Sequence, residues 1–329
     1  MNLSIYAPKK DQCNECTLYK NGTLDEESFQ KHIKKMKDAN AAKESDKSMA
    51  LTDKDTKCYT VDLQAVLLSP RLNAAANYYK TKLKVHNQVY YNQATRDVSC
   101  YVWYEVEGGL ESDVFATIAT NFILNEIGIQ SSLKKIFIIW SDGCAYQNRN
   151  AKLSNALLDI SIKKNIIIEQ KYLEVGHTYM EVDSVHSAIE AKLRNRRQVF
   201  VPADYISIIK SARINNPYKT YYLSHEDFYQ YDTSTYGSIR PGLRKGDPCV
   251  NDVVSYQYTP EGIINYKLAM QDEWTELPQR AKKKLVDTER PKLYKGPCPI
   301  EKSKYLHLQE LKQLIPQDYR DFYTNLPYK

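Results

Sequence analysis

Three aspartates have the residue type and the spacing to work together: Asp62 in YTVDLQAVLL, Asp142 in IFIIWSDGCAYQNRN and Asp183 in GHTYMEVDSVHSAIE. Carboxylates gathered in one pocket raise each other's pKa, so they cannot all ionise there without a cation. Mg2+ or Mn2+, hard ions that prefer oxygen ligands, meet that need. Two such ions would serve an in-line displacement at phosphorus, with Asp62 bridging them and Asp142 and Asp183 each holding one. Glu181, His186 and Glu190 compete with Asp183, because residues 183, 186, 187 and 190 can share one helical face. Asp183 is preferred as the residue nearest the helix start.

A second set begins at Cys13-Asn-Glu-Cys16, which is half of a common zinc site because both thiolates can reach one tetrahedral ion. His32, on a polar helical segment, is a third candidate ligand. The fourth is left open between Cys58 and a residue from elsewhere in the fold. His177, in Gly176-His177-Thr178, lies between a strand and a helix, where it could meet a metal or a phosphate or hydrogen-bond its own turn. Gln147, Asn148 and Arg149 open the helix after Asp142, where amide side chains and free backbone N–H groups suit a phosphate backbone. Gln147, Asn148, Arg149 and His177 are therefore the candidate substrate-binding residues.

The elements around these residues follow from hydrophobic period. Ile136, Phe137, Ile138, Ile139 and Trp140 form a continuous run suited to a strand covered on both faces, and its C-terminal edge, where α/β sheets place their sites, carries Asp142. Residues 58–68 read as a strand with Asp62 inside it. Residues 83–91 and 98–106 alternate as a hairpin. Apolar residues at 114, 115, 118, 122 and 123 predict a helix over 111–127, stopped by Gly128. A helix over about 148–164, a strand over 166–175 and a helix through Leu193 complete the core.

The order is strand, strand, strand, helix, strand, helix, strand, helix. It predicts an α/β ribonuclease H-like fold, a mixed five-stranded sheet flanked by helices, in which the first strand pairs with the fourth and sets Asp62 beside Asp142. Three parts follow: residues 1–57, a small helical segment with the cysteine knuckle; residues 58–213, the ribonuclease H-like core; and residues 214–329, an α+β C-terminal extension. That extension reads as a short strand, a hairpin turning at Thr259-Pro260-Glu261-Gly262, a basic proline-containing connection over 280–299 and two short helices. It would either clamp nucleic acid or cover the sheet.

Composition bounds the function class. A chain of 329 residues can bury a sizeable core, and no run approaches the ~20 apolar residues of a membrane span. The opening MNLSIYAPKKDQ lacks an apolar signal core, and seven cysteines without a repeating framework suit a reducing compartment. The expected location is nuclear or cytoplasmic, not secreted. The net charge of +6 is modest, but basic residues cluster at 31–37, 192–197 and 280–284. The 27 tyrosines suit base stacking or ordinary strands. No P-loop, dinucleotide fingerprint, serine-nucleophile elbow or HExxH motif is present.

DLQAVLL (62–68), YYKTKLKVHN (78–87), WSDGCAYQNRN (140–150) and EVGHTYMEVDSVHSAIE (174–190) resemble an uncharacterised, mobile-element-associated family from animal genomes. GHT followed by VD is the most specific element. Ala145-Tyr146-Gln147 and Arg149 stand where related sequences often show a glycine pair and a lysine. The resemblance implies a transposase-derived core carrying Asp62, Asp142 and Asp183. The expected function is a polynucleotidyl transferase or nuclease with two Mg2+ or Mn2+ ions and a structural Zn2+. Its expected partner is nucleic acid, DNA before RNA; the oligomeric state is left open, with a homodimer as the candidate because strand transfer joins two ends. The alternative is a catalytically inactive, domesticated nucleic-acid-binding or interaction protein on the same scaffold.

Overall fold

The run IFIIW forms the expected strand, and it lies inside a mixed sheet of ten strands. The computed structural model describes residues 12–128, 135–195, 198–280 and 290–329. In chain order the elements begin with helices α1 (Asn14–Lys20) and α2 (Glu26–Thr52), strands β1 (Thr56–Leu63) and β2 (Leu67–Ser69), and helix α3 (Ala76–Tyr79). Strands β3 (Leu83–Asn92) and β4 (Val98–Tyr104), helix α4 (Ser112–Ile127), strand β5 (Ile136–Ser141), helix α5 (Ala151–Lys164), strand β6 (Ile167–Tyr172) and helix α6 (Val182–Asn195) follow. The chain continues through α7 (Asp204–Ser211), β7 (Lys219–Tyr222), β8 (Ser255–Tyr258), β9 (Ile264–Lys267) and β10 (Thr275–Glu276) to α8 (Lys302–Lys312) and α9 (Arg320–Thr324).

The sheet order is β10-β9-β8-β6-β5-β1-β3-β4-β7, with β2 on β3. Strands β1, β5 and β6 run parallel, and β3 is antiparallel to both β1 and β4. The five central strands are those predicted, and the first does pair with the strand before Asp142. The expectation of five strands in all is corrected. The C-terminal region supplies β7 against β4 and β8 against β6, which covers both edges that a five-stranded sheet would leave open. The single strand expected over 58–68 also divides, since β1 ends at Leu63 and β2 pairs with β3 instead.

Two apolar layers sandwich the sheet. On one face Tyr59, Val61, Phe137 and Ile139 pack under α4 and α5. On the other, Cys58, Ile138 and Trp140 meet Ala39 of α2 and Val185, Ile189 and Leu193 of α6. Helix α5 starts three residues later than predicted. Asn150 caps it, accepting from Leu153 N–H at 2.9 Å, so residues 147–149 belong to the turn before it. Arg196, Arg197 and residues 281–284, parts of two basic clusters, lie outside the described residues, as does almost all of the N-terminal stretch.

Helix α2 is held to the sheet by polar groups. Its buried residues, His32, Ala39, Lys43 and Asp46, recur at helical spacing, and three of the four are ionisable. Asp46 accepts from the indole N–H of Trp140 at 2.8 Å and from Lys171 Nζ at 2.9 Å, and Glu169 also pairs with Lys171 at 3.1 Å. Burial opposes the charge on Lys171, but Glu169 and Asp46 outweigh it and lift its pKa above the usual lysine range. Asp46→Ala would leave the buried indole N–H without its acceptor and the ammonium with one carboxylate. It should cost about 2–4 kcal/mol, read as a lower urea midpoint. A change under about 0.5 kcal/mol would put the pairing at the level of an exposed ion pair.

His86, on β3, is buried beside the Trp103 ring, and burial lowers its pKa to about 4. Between that value and the ~6.5 of the unfolded chain, only the unfolded state takes up this proton. Its contribution to stability is therefore full above pH 6.5 and is lost as pH falls toward 4, by on the order of 2–3 kcal/mol. A His86→Phe variant should lose less stability than the wild type between pH 7 and 4.5. Parallel pH profiles from chemical denaturation would contradict this.

Candidate metal centres and active site

Register explains why two aspartates meet. Thr60 of β1 is paired with Trp140 of β5, and Asp62 and Asp142 each lie two residues further on. Residues i and i+2 of a strand share a face, so both carboxylates leave the sheet on the side covered by α6. Asp183 stands in the first turn of that helix, where its Oδ2 accepts from the backbone N–H of Met180 at 2.9 Å. The buried positions Val182, Val185 and Ile189 fix which way the helix turns. Asp62, Asp142 and Asp183 thus line one open pocket of about 450 Å3, together with Gly176, Thr178, Tyr179 and Met180.

The three carboxylates are not equivalent. Burial, and then the charge of Asp142, push the pKa of Asp62 up to about 7, with a smaller contribution from Asp183 and against a backbone hydrogen bond from Leu63. Asp142 is held by the protein, its Oδ1 accepting from Asn148 Nδ2 at 2.8 Å and from the N–H of Cys144 at 3.2 Å. His186, one turn after Asp183 on α6, points its Nδ1 at Asp62 Oδ2 across 3.9 Å. Burial lowers its pKa to about 4, so the ring is neutral, and its buried Nε2 has no partner. Asp62, Asp183 and His186 present ligand atoms within 4.8 Å of one another.

Among the competing acids, Glu181 is held by Lys43 at 2.9 Å and by Lys47 at 3.8 Å. Glu190 is exposed on α6, outside this group.

The residues expected to hold substrate are engaged with the protein. Asn148 is buried; besides holding Asp142, its carbonyl accepts from Tyr172 Oη at 2.9 Å and Gln170 Nε2 at 3.2 Å. Arg149 lays its guanidinium over the Tyr172 ring at 4.1 Å and donates to the Asn251 carbonyl at 3.1 Å. Gln147 is buried and lines a small interior gap beside Tyr90 and Phe115. Asn148 is therefore placed to orient Asp142, a role that the polar run QNRN did not disclose. Tyr179, 81% exposed on the pocket rim, was not singled out from the sequence.

His177 is found with the cysteines. Cys13, Cys16, His32 and His177 bring their Sγ and ring-nitrogen atoms within 4.8 Å of one another. Cys13 Sγ is 3.1 Å from His32 Nε2, Cys16 Sγ is 3.3 Å from His177 Nε2, and the two Nε2 atoms are 3.1 Å apart. His32 Nδ1 faces Glu15 at 2.9 Å and Glu174 at 3.3 Å. The position left open in the sequence is filled by a residue more than 140 positions away from His32. Cys58 is instead buried in the sheet, where burial pushes its thiol well above the usual range.

With this geometry in view, residues 76–232 match a family described as a domain of unknown function (DUF7869). That stretch includes Asp142, His177, Asp183 and His186 and leaves out Cys13, Cys16, His32 and Asp62. Among solved structures, the crystal structure of NurA bound to dAMP and manganese matches at 9% identity with a TM-score of 0.15. The match covers 59% of this chain, which spans about half (47%) of the length of that one. No structural correspondence follows from a score of that size. Comparison with curated proteins gives no match. No helix among the described residues is long and apolar enough to cross a membrane.

Proposed function

We propose that this chain is a metal-dependent nuclease or polynucleotidyl transferase of ribonuclease H-like, transposase-derived type, acting on DNA in the nucleus. The observation that carries the reading is the convergence of Asp62, Asp142 and Asp183 in one open pocket at the edge of parallel strands. The central order β4-β3-β1-β5-β6, with β3 antiparallel inside it, supports the fold reading.

The donor set fits Mg2+ or Mn2+. Three carboxylates supply hard oxygen ligands, and the pKa of Asp62 is raised by burial first and by the charge of Asp142 second, both of which a bound cation would offset. His186, whose Nδ1 faces Asp62, adds a borderline nitrogen donor, which favours Mn2+ over Mg2+. Bound there, such ions would acidify a water or 3′-hydroxyl and neutralise the leaving oxygen of a phosphodiester.

The rest falls to the chain itself. Asn148 keeps one oxygen of Asp142 fixed and leaves the other to face the pocket. The Met180 N–H holds Asp183 in the same way. The exposed ring of Tyr179 offers a face on which a base next to the scissile phosphate can stack.

The test is cleavage of labelled single- and double-stranded DNA in Mg2+ and in Mn2+, comparing wild type with Asp142→Asn. Metal-dependent cleavage that disappears in the variant is the expected result. Binding with a steep salt dependence but no cleavage would replace this reading with that of a nucleic-acid-binding protein on the same scaffold. Neither binding nor cleavage would overturn both.

A further inference from the structure

We propose that Cys13, Cys16, His32 and His177 form a tetrahedral Zn2+ site that fastens the loop leading into Asp183 to the N-terminal helices. The site itself is independent of the nuclease reading; only the use made of Asp183 rests on it.

Three independent features point to zinc. The first is the size of the tetrad. Ordinary Zn–S and Zn–N bonds of about 2.3 and 2.0–2.1 Å give tetrahedral edges of roughly 3.3–3.8 Å. The observed cross-tetrad distances of 3.1, 3.3 and 3.6 Å lie close to that range. Two sulfurs and two imidazoles are also the donor set of a closed structural zinc site, with no position left for substrate.

The second is the support behind His32. Its Nδ1 faces the carboxylates of Glu15 and Glu174. A ring that donates its Nδ1–H to a carboxylate presents the Nε2 lone pair, and Nε2 is the atom aimed at both cysteines and at His177. Helix α2 supplies His32 to within hydrogen-bonding reach of a loop 142 residues further along the chain.

The third is the backbone. Gly176 has φ +78°, and a Cβ there would lie 2.7 Å from Cα and Cβ of Cys13. The loop therefore approaches the knuckle more closely than any other residue at 176 would permit, and this contact brings His177 over the two sulfurs.

The segment 173–183, the loop before α6 and the start of that helix, carries both the proposed zinc ligand His177 and pocket residues from Gly176 to Asp183. Lys43 of α2 fastens it again, donating to the Tyr179 carbonyl at 3.2 Å and pairing with Glu181. Losing the metal removes the upper fastening, while the sheet and α6 keep their apolar contacts.

The experiment uses the full chain purified without chelator. Zinc is counted by mass spectrometry, and amide exchange over 173–183 is compared in wild type, chelator-stripped wild type and His177→Ala. Expected are about one Zn2+ per wild-type chain, its loss in His177→Ala with retention in Cys249→Ser, and at least about tenfold faster exchange over 173–183 in both zinc-free forms. Strands β1 and β5 should stay protected in all of them. A wild type that neither retains nor takes up zinc would overturn the site, as would a His177→Ala variant with undiminished zinc. Zinc that leaves without changing exchange in the loop would overturn the fastening. Each outcome is read without DNA, so it stands whether or not the chain cleaves.

Discussion

Asp62→Asn is expected to abolish metal-dependent cleavage, by at least about a thousandfold, and to make the metal-free protein more stable at pH 8. Both effects come from one charge. In the absence of a divalent ion the folded carboxyl titrates at about 7, against ~3.9 in the unfolded chain. Folding therefore takes up a proton between those values, and the stability this group contributes is present at low pH and lost as pH rises through about 4 to 7. At pH 8 the ionised group costs the fold on the order of 2–4 kcal/mol. Asparagine has nearly the same shape and no charge, so it escapes that cost but cannot serve a cation. Chemical denaturation in Mg2+- and Mn2+-free buffer should show the variant more stable at pH 8 and little different at about pH 3.5. The same proton competes with metal, so the apparent Mn2+ affinity of the wild type should weaken about tenfold for each pH unit below about 7. A variant that still cleaves would remove Asp62 from the site. Equal stability at both pH values would mean that its carboxylate is well solvated.

What the sequence discloses depends on which force places each residue. The central strands and α4 to α6 are driven by apolar burial, and their periods are legible: Ile136 to Trp140 for β5, and Val182, Val185 and Ile189 for α6. Asp62 and Asp142 follow from the same patterning, because two strands that pair in parallel carry their ends to one edge. Helix α2 is less legible because its buried stripe is His32, Ala39, Lys43 and Asp46. A polar stripe of that kind reads as a solvated helix until its partners are known, and those partners, Trp140, Lys171 and Glu181, lie in distant parts of the chain. His177 is legible as a metal or phosphate candidate, but its grouping with Cys13, Cys16 and His32 is not, for the same reason. Ligand spacing identifies a knuckle when all four donors are local, and here the fourth comes from the loop before α6. QNRN is the opposite case, a polar run whose contacts within the protein its composition does not disclose. Its amides suit a phosphate, but the turn after β5 directs Asn148 to Asp142 and sends the Arg149 guanidinium onto Tyr172. Strand β7 and the β8–β9 hairpin, turning at 259–262, are legible as strands, but that they extend the central sheet beyond β4 and β6 is not, because each is only four residues long.

Gly176→Ala should be strongly damaging for a single added methyl, for a reason that can be separated from backbone strain. Two costs coincide at this residue. A side chain at φ +78° costs roughly 1–2 kcal/mol. The new methyl would also sit 2.7 Å from the Cα and Cβ of Cys13, where overpacking costs about 1–3 kcal/mol more. Gly22 has nearly the same φ, +73°, and nothing within 4 Å of the position its Cβ would take. Gly22→Ala therefore reports the strain alone, and the difference between the two variants reports the contact. The expected result is a Gly22→Ala protein that loses roughly 1 kcal/mol and keeps its zinc. Gly176→Ala should lose on the order of 2–5 kcal/mol and most of its zinc, because the added methyl drives the loop and His177 away from Cys13 and Cys16. Since the same loop leads into Asp183, Mn2+ binding in the carboxylate pocket should weaken in Gly176→Ala and stay unchanged in Gly22→Ala. Equal losses in the two variants would mean that the loop yields freely at Cys13, and that its position is set by Lys43 and α6 without the knuckle.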